Sequence, residues 1–236
     1  MIERTLASKV TSLAQKFQVI TLTGPRQSGK TTLVKATFPD LPYVSLEEPD
    51  IRQIALTDPR GFLSNYPNGV ILDEIQNTPE LFSYIQRIVD ENHQIQFILT
   101  GSSNFLLMEK ISQTLAGRTA VLHLLPFSLQ ELEPLADSYE NLIFKGQYPR
   151  IYDRAIPPTD FYPSYIQTYV DRDVRMIKNI GDINAFIQFT QLCAGRIGQP
   201  LNNASLANDA GISPNTAKSW FSILESSYIL YRLQPY

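Results

Sequence analysis

The sequence has a single cysteine, Cys193, and only two histidines, His93 and His123, in 236 residues. One thiol excludes an internal disulfide, and so few thiolate and imidazole donors leave no basis for a zinc site. With no more than those two histidines to activate it, Cys193 reads as a small buried residue rather than a nucleophile. Excess positive charge is also lacking: 20 lysines and arginines face 23 acidic residues, a formal net charge of −3. There is thus no bulk basic signature of nucleic-acid binding, and any such contact has to come from a local patch. No apolar run approaches the length of a membrane span, and Met1-Ile2-Glu3-Arg4-Thr5-Leu6 carries no apolar core of a signal peptide. The expectation is a cytoplasmic protein with no membrane partner. Internal repeats and low-complexity tracts are absent too. What remains is the composition of a globular protein, 43% hydrophobic and 18% charged, enough for one large or two modest domains.

The strongest local pattern lies at Val19-Ile20-Thr21-Leu22-Thr23-Gly24-Pro25-Arg26-Gln27-Ser28-Gly29-Lys30-Thr31-Thr32-Leu33. A β-branched apolar run passes into a glycine-bounded turn and then into a helix. Gly24, Gly29, Lys30 and Thr31 fit the spacing of a phosphate-binding loop, G-x-x-x-x-G-K-[ST]. A loop wrapped around a triphosphate aims successive backbone N–H groups inward, and glycine permits the dihedrals and the close approach. The candidate nucleotide contacts are Gly24, Gln27, Ser28, Gly29, Lys30, Thr31 and Thr32. Lys30 brings a positive charge to the β/γ-phosphates, the Thr31 hydroxyl can ligate Mg²⁺, and the helix N-terminus adds its partial charge.

Further along, Gly69-Val70-Ile71-Leu72-Asp73-Glu74 is an apolar strand that ends in two acids. In an open parallel sheet the C-terminal ends of strands face the ligand. Asp73 fits the acid that holds the Mg²⁺ shell, and Glu74 the carboxylate that orients or deprotonates an attacking water. The plainer alternative is that both only cap the next helix. Ile95-Gln96-Phe97-Ile98-Leu99-Thr100-Gly101-Ser102-Ser103-Asn104 is another buried strand. Its hydroxyl-rich end either senses a γ-phosphate or forms a turn and a cap. Arg118, just before a fifth strand at Thr119–Leu124, is either an arginine finger for a neighbouring subunit or a cation at a helix C-terminus. His123 reads as an ordinary strand residue.

Strands near 18–23, 43–46, 69–73, 95–100 and 119–124 alternate with helices, including one expected from Phe105 to Leu115, and predict a parallel α/β sheet. The pattern stops at Pro126. Short helices are expected at 127–136 and 139–144, a turn at Gly146–Arg150, and a loop around Pro157, Pro158 and Pro163. A long helix follows from Tyr162 to Met176. Its Arg172 and Arg175 lie on a solvated face or face a nucleotide. After an amphipathic helix at 183–196, Asn203 to Leu224 forms a helix-turn-helix pattern with Gly211 at the turn and Ser213-Pro214 opening the second helix. Tyr228–Leu233 reads as the strand of a wing. On the second helix Asn215, Lys218, Ser219 and Ser222 are the outward candidates for DNA, and only Lys218 among them is basic.

Gly24-Pro25-Arg26-Gln27-Ser28-Gly29-Lys30-Thr31-Thr32-Leu33, Ile71-Leu72-Asp73-Glu74-Ile75-Gln76, Leu99-Thr100-Gly101-Ser102-Ser103 and Leu115-Ala116-Gly117-Arg118 together resemble the AAA+ ATPases. More closely the chain is similar to a poorly characterised prokaryotic group of archaeal-type ATPases. In that group a helical lid, a winged helix and a nuclease-like domain follow the ATPase domain; Gly146-Gln147-Tyr148-Pro149 and 203–233 also fit it. The resemblance implies an AAA-type P-loop NTPase sheet at 1–126, a helical lid or linker at 127–180 and a winged helix-turn-helix domain at 181–236, shortened at its C-terminus and without the nuclease-like domain. It also implies Walker A and B roles for Lys30, Thr31, Asp73 and Glu74, a sensor role for Ser102 or Thr100, and the finger position for Arg118. The expected function is an ATPase that uses ATP and Mg²⁺, works as a homo-oligomer, and couples nucleotide state to DNA or another partner. The alternative is a non-enzymatic, nucleotide-responsive DNA-binding or scaffold module.

Overall fold

The computed structural model describes residues 2–102, 111, 113–133, 138–169, 180 and 182–234. Five strands form one sheet: β1 (Val19–Gly24), β2 (Tyr43–Ser45), β3 (Gly69–Asp73), β4 (Gln96–Ser102) and β5 (Thr119–His123). All pair in parallel, in the order β2-β3-β4-β1-β5. The expected parallel five-stranded sheet is therefore present.

Alternation of side chains along each strand divides the core in two. Val19, Val70, Leu72, Phe97 and Leu99 face one cluster, and Ile20, Leu22, Ile71, Ile98 and Ala120 face the other. The first cluster is closed by α3 (Pro49–Thr57), α4 (Pro59–Ser64) and α5 (Leu81–Glu91), through Ala55, Phe62, Leu63, Leu81, Phe82, Ile85 and Val89. The second is closed by α1 (Leu6–Ala14) and α2 (Lys30–Thr37), through Val10, Leu33 and Val34. Burial on both faces explains the near-continuous apolar runs in the sequence. It also places the crossover after β1 on one face and that after β3 on the other. Connections that part in this way open a crevice at the strands' C-terminal ends.

The described residues divide into two compact units, 1–156 and 157–236. The first unit also holds α6 (Leu129–Leu132), α7 (Tyr139–Lys145) and α8 (Pro149–Asp153). Proline at the first helical position starts α8 where only a turn was expected. The second holds α9 (Pro158–Tyr169), α10 (Ile183–Ala194), α11 (Asn203–Asp209) and α12 (Pro214–Ser226). Pro163 lies inside α9 rather than in a loop. In its second turn a missing N–H deprives the helix of a single bond. The helix expected from Phe105, the residues Ser103 and Asn104, and Arg172 and Arg175 lie wholly or mostly outside the described residues.

The helix-turn-helix geometry is present locally. Gly211 takes φ +65°, Ser213 Oγ accepts from Thr216 N, and Trp220 packs edge-on against Phe186 and Phe189. The expected wing strand at Tyr228–Leu233 is not formed. Tyr228 turns left-handed (φ +59°), and Ile229 donates its N–H back to Leu224 O at 2.9 Å, so its donor is spent on ending α12. Arg232 folds along the same helix, pairing with Glu225 at 2.7 Å and lying over Phe221. Cys193 is half-buried rather than buried, and burial pushes its thiol up to about 11, so it stays protonated at neutral pH. Among the described residues no helix is long and apolar enough to cross a membrane.

An ion pair that the sequence did not disclose ties the chain's start to α6. Arg4 Nε donates to Glu131 Oε1 at 3.2 Å, with both side chains nearly inaccessible. Glu131 also accepts from Thr5 N at 2.7 Å and from Ser128 N at 2.8 Å, the latter in a capping box. Burial by itself would raise the Glu131 carboxyl. The backbone N–H donors of Ser128 and Thr5, with the Arg4 charge, outweigh it and hold the group below its ordinary value. A lowered carboxyl contributes stability that is full above its unfolded value and is lost as pH falls through the folded one. Glu131→Gln is therefore expected to cost roughly 2 kcal/mol at neutral pH. Urea unfolding across pH checks this: the gap to the unmodified chain should narrow below about pH 4.

Candidate functional site

The strands' C-terminal ends bring the motifs together. β1 closes at Gly24, beside Ser102 in β4, and residues 25–29 turn into α2. Gly24 sits at φ +152°, and an added Cβ would fall 2.1 Å from Leu124 O, so the strand's exit is pressed against the backbone after β5. Gly29 caps α2 at φ +92°, a left-handed conformation that lets the loop swing into the helix. Gln27 is left-handed as well, at φ +60°.

Lys30, on the first turn of α2, is buried. Its Nζ donates to Gly24 O at 3.0 Å and to Pro25 O at 2.8 Å, so the ammonium folds back over the entry to the loop. The loop is braced from outside by Arg4, whose Nη1 donates to Ser28 O at 2.7 Å and Nη2 to Leu125 O at 2.6 Å. One guanidinium thus fixes the phosphate loop, the exit of β5 and α6 together.

Asp73 ends β3 with its carboxylate nearly inaccessible. Thr31 Oγ1 donates to its Oδ2 at 2.8 Å, Tyr43 OH donates to the same oxygen at 2.7 Å, and Thr100 Oγ1 donates to Oδ1. Burial, then the hydrogen bond to Asp73, raises the Tyr43 phenol, which therefore remains a donor throughout the physiological range. A carboxylate oxygen beside a threonine hydroxyl at the end of a phosphate loop is a donor set suited to a hard cation such as Mg²⁺.

Glu74 follows in a left-handed conformation (φ +56°, ψ +46°) and opens a short 3₁₀ turn, Ile75–Asn77. Gln76 folds back within that turn. Its Nε2 donates to Glu74 Oε2 and, at 3.3 Å, to Ser102 Oγ. Among the described residues, buried side-chain atoms without a hydrogen-bond partner include Gln27 Oε1, Ser28 Oγ and Gln76 Oε1, all at this edge of the sheet. Buried polar atoms are ordinarily paired, so their clustering fits a polar ligand.

Of the residues singled out in the sequence, Gly24, Gln27, Ser28, Gly29, Lys30, Thr31, Asp73, Glu74, Thr100 and Ser102 gather at this edge. Thr32 is on α2 but exposed. Arg118 lies at the other end: β5 begins one residue later beside Val19, five strand residues or about 17 Å before Gly24. There it pairs with Asp90, Nε to Oδ1 at 2.6 Å and Nη2 to Oδ2 at 2.9 Å. Asn215, Lys218 and Ser222 are exposed and Ser219 half-buried on α12, in the second unit. His123 accepts or donates through Nδ1 to Thr23 Oγ1 at 2.7 Å, an ordinary strand contact. Arg4, Tyr43 and Gln76 were not assigned roles from sequence. Only Gln76 carried a signal, its place two residues after the acid pair.

A family model described as an AAA domain matches residues 16–133, and a second, described as a domain of unknown function, matches 136–236. An uncharacterised protein of Mycobacterium tuberculosis is 24% identical over 237 aligned residues, covering 99% of this chain and 53% of that protein. An uncharacterised protein of Methanocaldococcus jannaschii is 27% identical over 138 residues, covering 54% of this chain and 30% of its own length. The chain spans about half the length of the mycobacterial relatives it matches. Among solved structures, the Walker-type ATPase PABY2304 of Pyrococcus abyssi superposes with a TM-score of 0.60 at 16% identity, covering 96% of this chain and 90% of the other. That likeness shows the fold, that of a P-loop NTPase.

Gly24→Ala puts a methyl group against the Leu124 carbonyl and forces a positive φ on an L-residue. The expected cost is about 2 kcal/mol in urea unfolding, with weakened nucleotide binding as the loop is displaced. A variant as stable as the unmodified chain would overturn this account of the contact.

Proposed function

The chain belongs to the AAA domain family, and from that premise we propose that it binds ATP with Mg²⁺ and hydrolyses it. The observation that carries this reading is the 2.8 Å hydrogen bond from Thr31 to Asp73, which joins two motifs 42 residues apart into one site. Lys30 leaves the carbonyls of Gly24 and Pro25 for the β/γ-phosphates, and the first backbone N–H groups of α2 face the same charge. Thr31 and Asp73 would hold the Mg²⁺, whose charge would offset the negative charge that develops on the phosphates. Glu74 takes the proton of the attacking water. Ser102, held to Glu74 through Gln76, lies where the strand end would meet the γ-phosphate. The likeness to a Walker-type ATPase supports the same reading.

Arg118 is too far along the strands to reach its own loop. Its proposed role is in trans, reaching the γ-phosphate of a neighbouring copy in a homo-oligomer. The surface pair with Asp90 would have to open, which costs little for an exposed, solvent-screened ion pair. The proposed reading extends to coupling between nucleotide state and DNA or another partner. Asn215, Lys218 and Ser219 on α12 would be the contact residues, in a chain that works in the cytoplasm.

Lys30→Ala is expected to weaken ATP binding by roughly 10²-fold, since a charge-assisted contact is lost. Glu74→Gln should bind ATP normally and release phosphate at least about 10²-fold more slowly. Release at the unmodified rate by the glutamine variant would sink the role given to Glu74. Binding without turnover in the unmodified chain, with DNA affinity that follows nucleotide state, would favour a non-enzymatic module instead.

A site shared between subunits makes two further expectations. Phosphate release per chain rises with protein concentration. Mixing inactive Arg118→Ala with inactive Glu74→Gln chains restores part of the activity, because each active site then draws Glu74 from one chain and Arg118 from the other. A mixture as inactive as its components would remove Arg118 from the mechanism.

A further inference from the structure

We infer that Gln76 is a catalytic residue, the second acceptor that orients the attacking water; the inference rests on the hydrolytic reading above. A water that attacks phosphorus points a lone pair at it and leaves two O–H bonds to be received elsewhere. Glu74 receives one. The other needs a second acceptor close to the Glu74 carboxylate, and such an acceptor is present.

The amide orientation is fixed by chemistry. The atom against Glu74 Oε2 has to be Nε2, because the amide oxygen there would meet a carboxylate with no proton between them. The same nitrogen reaches Ser102 Oγ at 3.3 Å. Oε1, the other heteroatom on the same amide carbon, is buried and without a partner. A buried carbonyl oxygen left so is destabilising, which a structural glutamine would avoid.

The turn that carries Gln76 is rigid. Left-handed Glu74 starts it, Ile75 is fully buried, Asn77 Nδ2 donates to Leu46 O at 3.3 Å, and Thr78 N closes on Ile75 O at 3.0 Å. The acceptor pair of Glu74 and Gln76 is thereby set before the substrate arrives. In the step itself the water oxygen forms a bond to the γ-phosphorus as the bond to the β–γ bridging oxygen breaks. ADP leaves with that electron pair, one water proton passes to Glu74, and the other stays on the phosphate, held by Gln76 Oε1.

The test uses the whole chain with Gln76→Ala and with Gln76→Met, which keeps the side-chain volume and removes both heteroatoms. Three quantities are read: affinity for ADP, trapping of ADP with aluminium fluoride as a mimic of the in-line transition state, and phosphate release. Both variants are expected to bind ADP within about twofold of the unmodified chain, and to lose roughly 10²-fold in release and in trapping together. Release at the unmodified rate by either folded variant would overturn the inference and leave the ATPase reading standing. ADP affinity that falls in parallel with trapping would overturn it too, since it would mark Gln76 as structural. An unmodified chain that binds ATP and releases no phosphate would overturn the ATPase reading, and this inference with it.

Discussion

The carboxylate of Asp73 holds the ligand edge of the sheet together. It sits on β3 and takes hydroxyl donors from α2 through Thr31, from β2 through Tyr43 and from β4 through Thr100. A buried carboxylate short of donors is costly, and each hydrogen bond to a charged group contributes about 1.5–3 kcal/mol. The requirement that folds this edge is therefore the one that builds the site. Lys35 reinforces it by lying 3.3 Å over the ring of Tyr43, which keeps the phenol turned toward Asp73. A cation that binds Asp73 needs only the Thr31 hydroxyl to present its lone pair. Tyr43 and Thr100 would go on donating, so the carboxylate would keep its orientation with a cation bound.

Local pattern disclosed much of this. The five strands are legible because burial on both faces demands continuous β-branched runs, as in Val19–Gly24 and Gly69–Asp73. The phosphate loop is legible because its dihedrals demand glycine at Gly24 and Gly29. Arg4 and Glu131 were not, since the pair is 127 residues apart and each residue alone looks like a surface charge. Tyr43 reads as one aromatic in a short strand, and only the parallel pairing of Ser45 with Asp73 puts its phenol in reach. The wing failed for a different reason. Tyr228–Leu233 has strand composition, but the end of α12 captures its backbone donors first.

The sheet separates what one chain can do alone from what it cannot. Its C-terminal edge carries Lys30, Thr31, Asp73, Glu74 and Gln76. Its N-terminal edge carries Arg118, paired with Asp90. A parallel sheet fixes these two edges a full strand apart, and no side-chain motion spans that gap. If Arg118 acts in phosphoryl transfer, geometry confines it to another chain's substrate, and turnover becomes sensitive to assembly while binding does not. The weakness of an exposed ion pair suits that role, because Asp90 can orient Arg118 in the free chain and give it up at little cost.

Among the described residues, two of the four non-glycine residues with positive φ, Gln27 and Glu74, stand at this one edge. Each costs on the order of 1 kcal/mol that neighbouring packing has to offset. Relaxing Glu74 to an extended conformation would carry its carboxylate along the strand direction and straighten the turn that returns Gln76. The acid and the amide would then no longer share a hydrogen bond. The strain is thus tied to a specific arrangement: at the strand end a carboxylate and Ser102 share the Gln76 amide nitrogen, and the oxygen of that amide is left unpartnered. Local preference and tertiary requirement agree along the rest of β3. Where they part, after Asp73, the backbone leaves its local preference to bring Glu74 and Gln76 into one hydrogen-bonded turn.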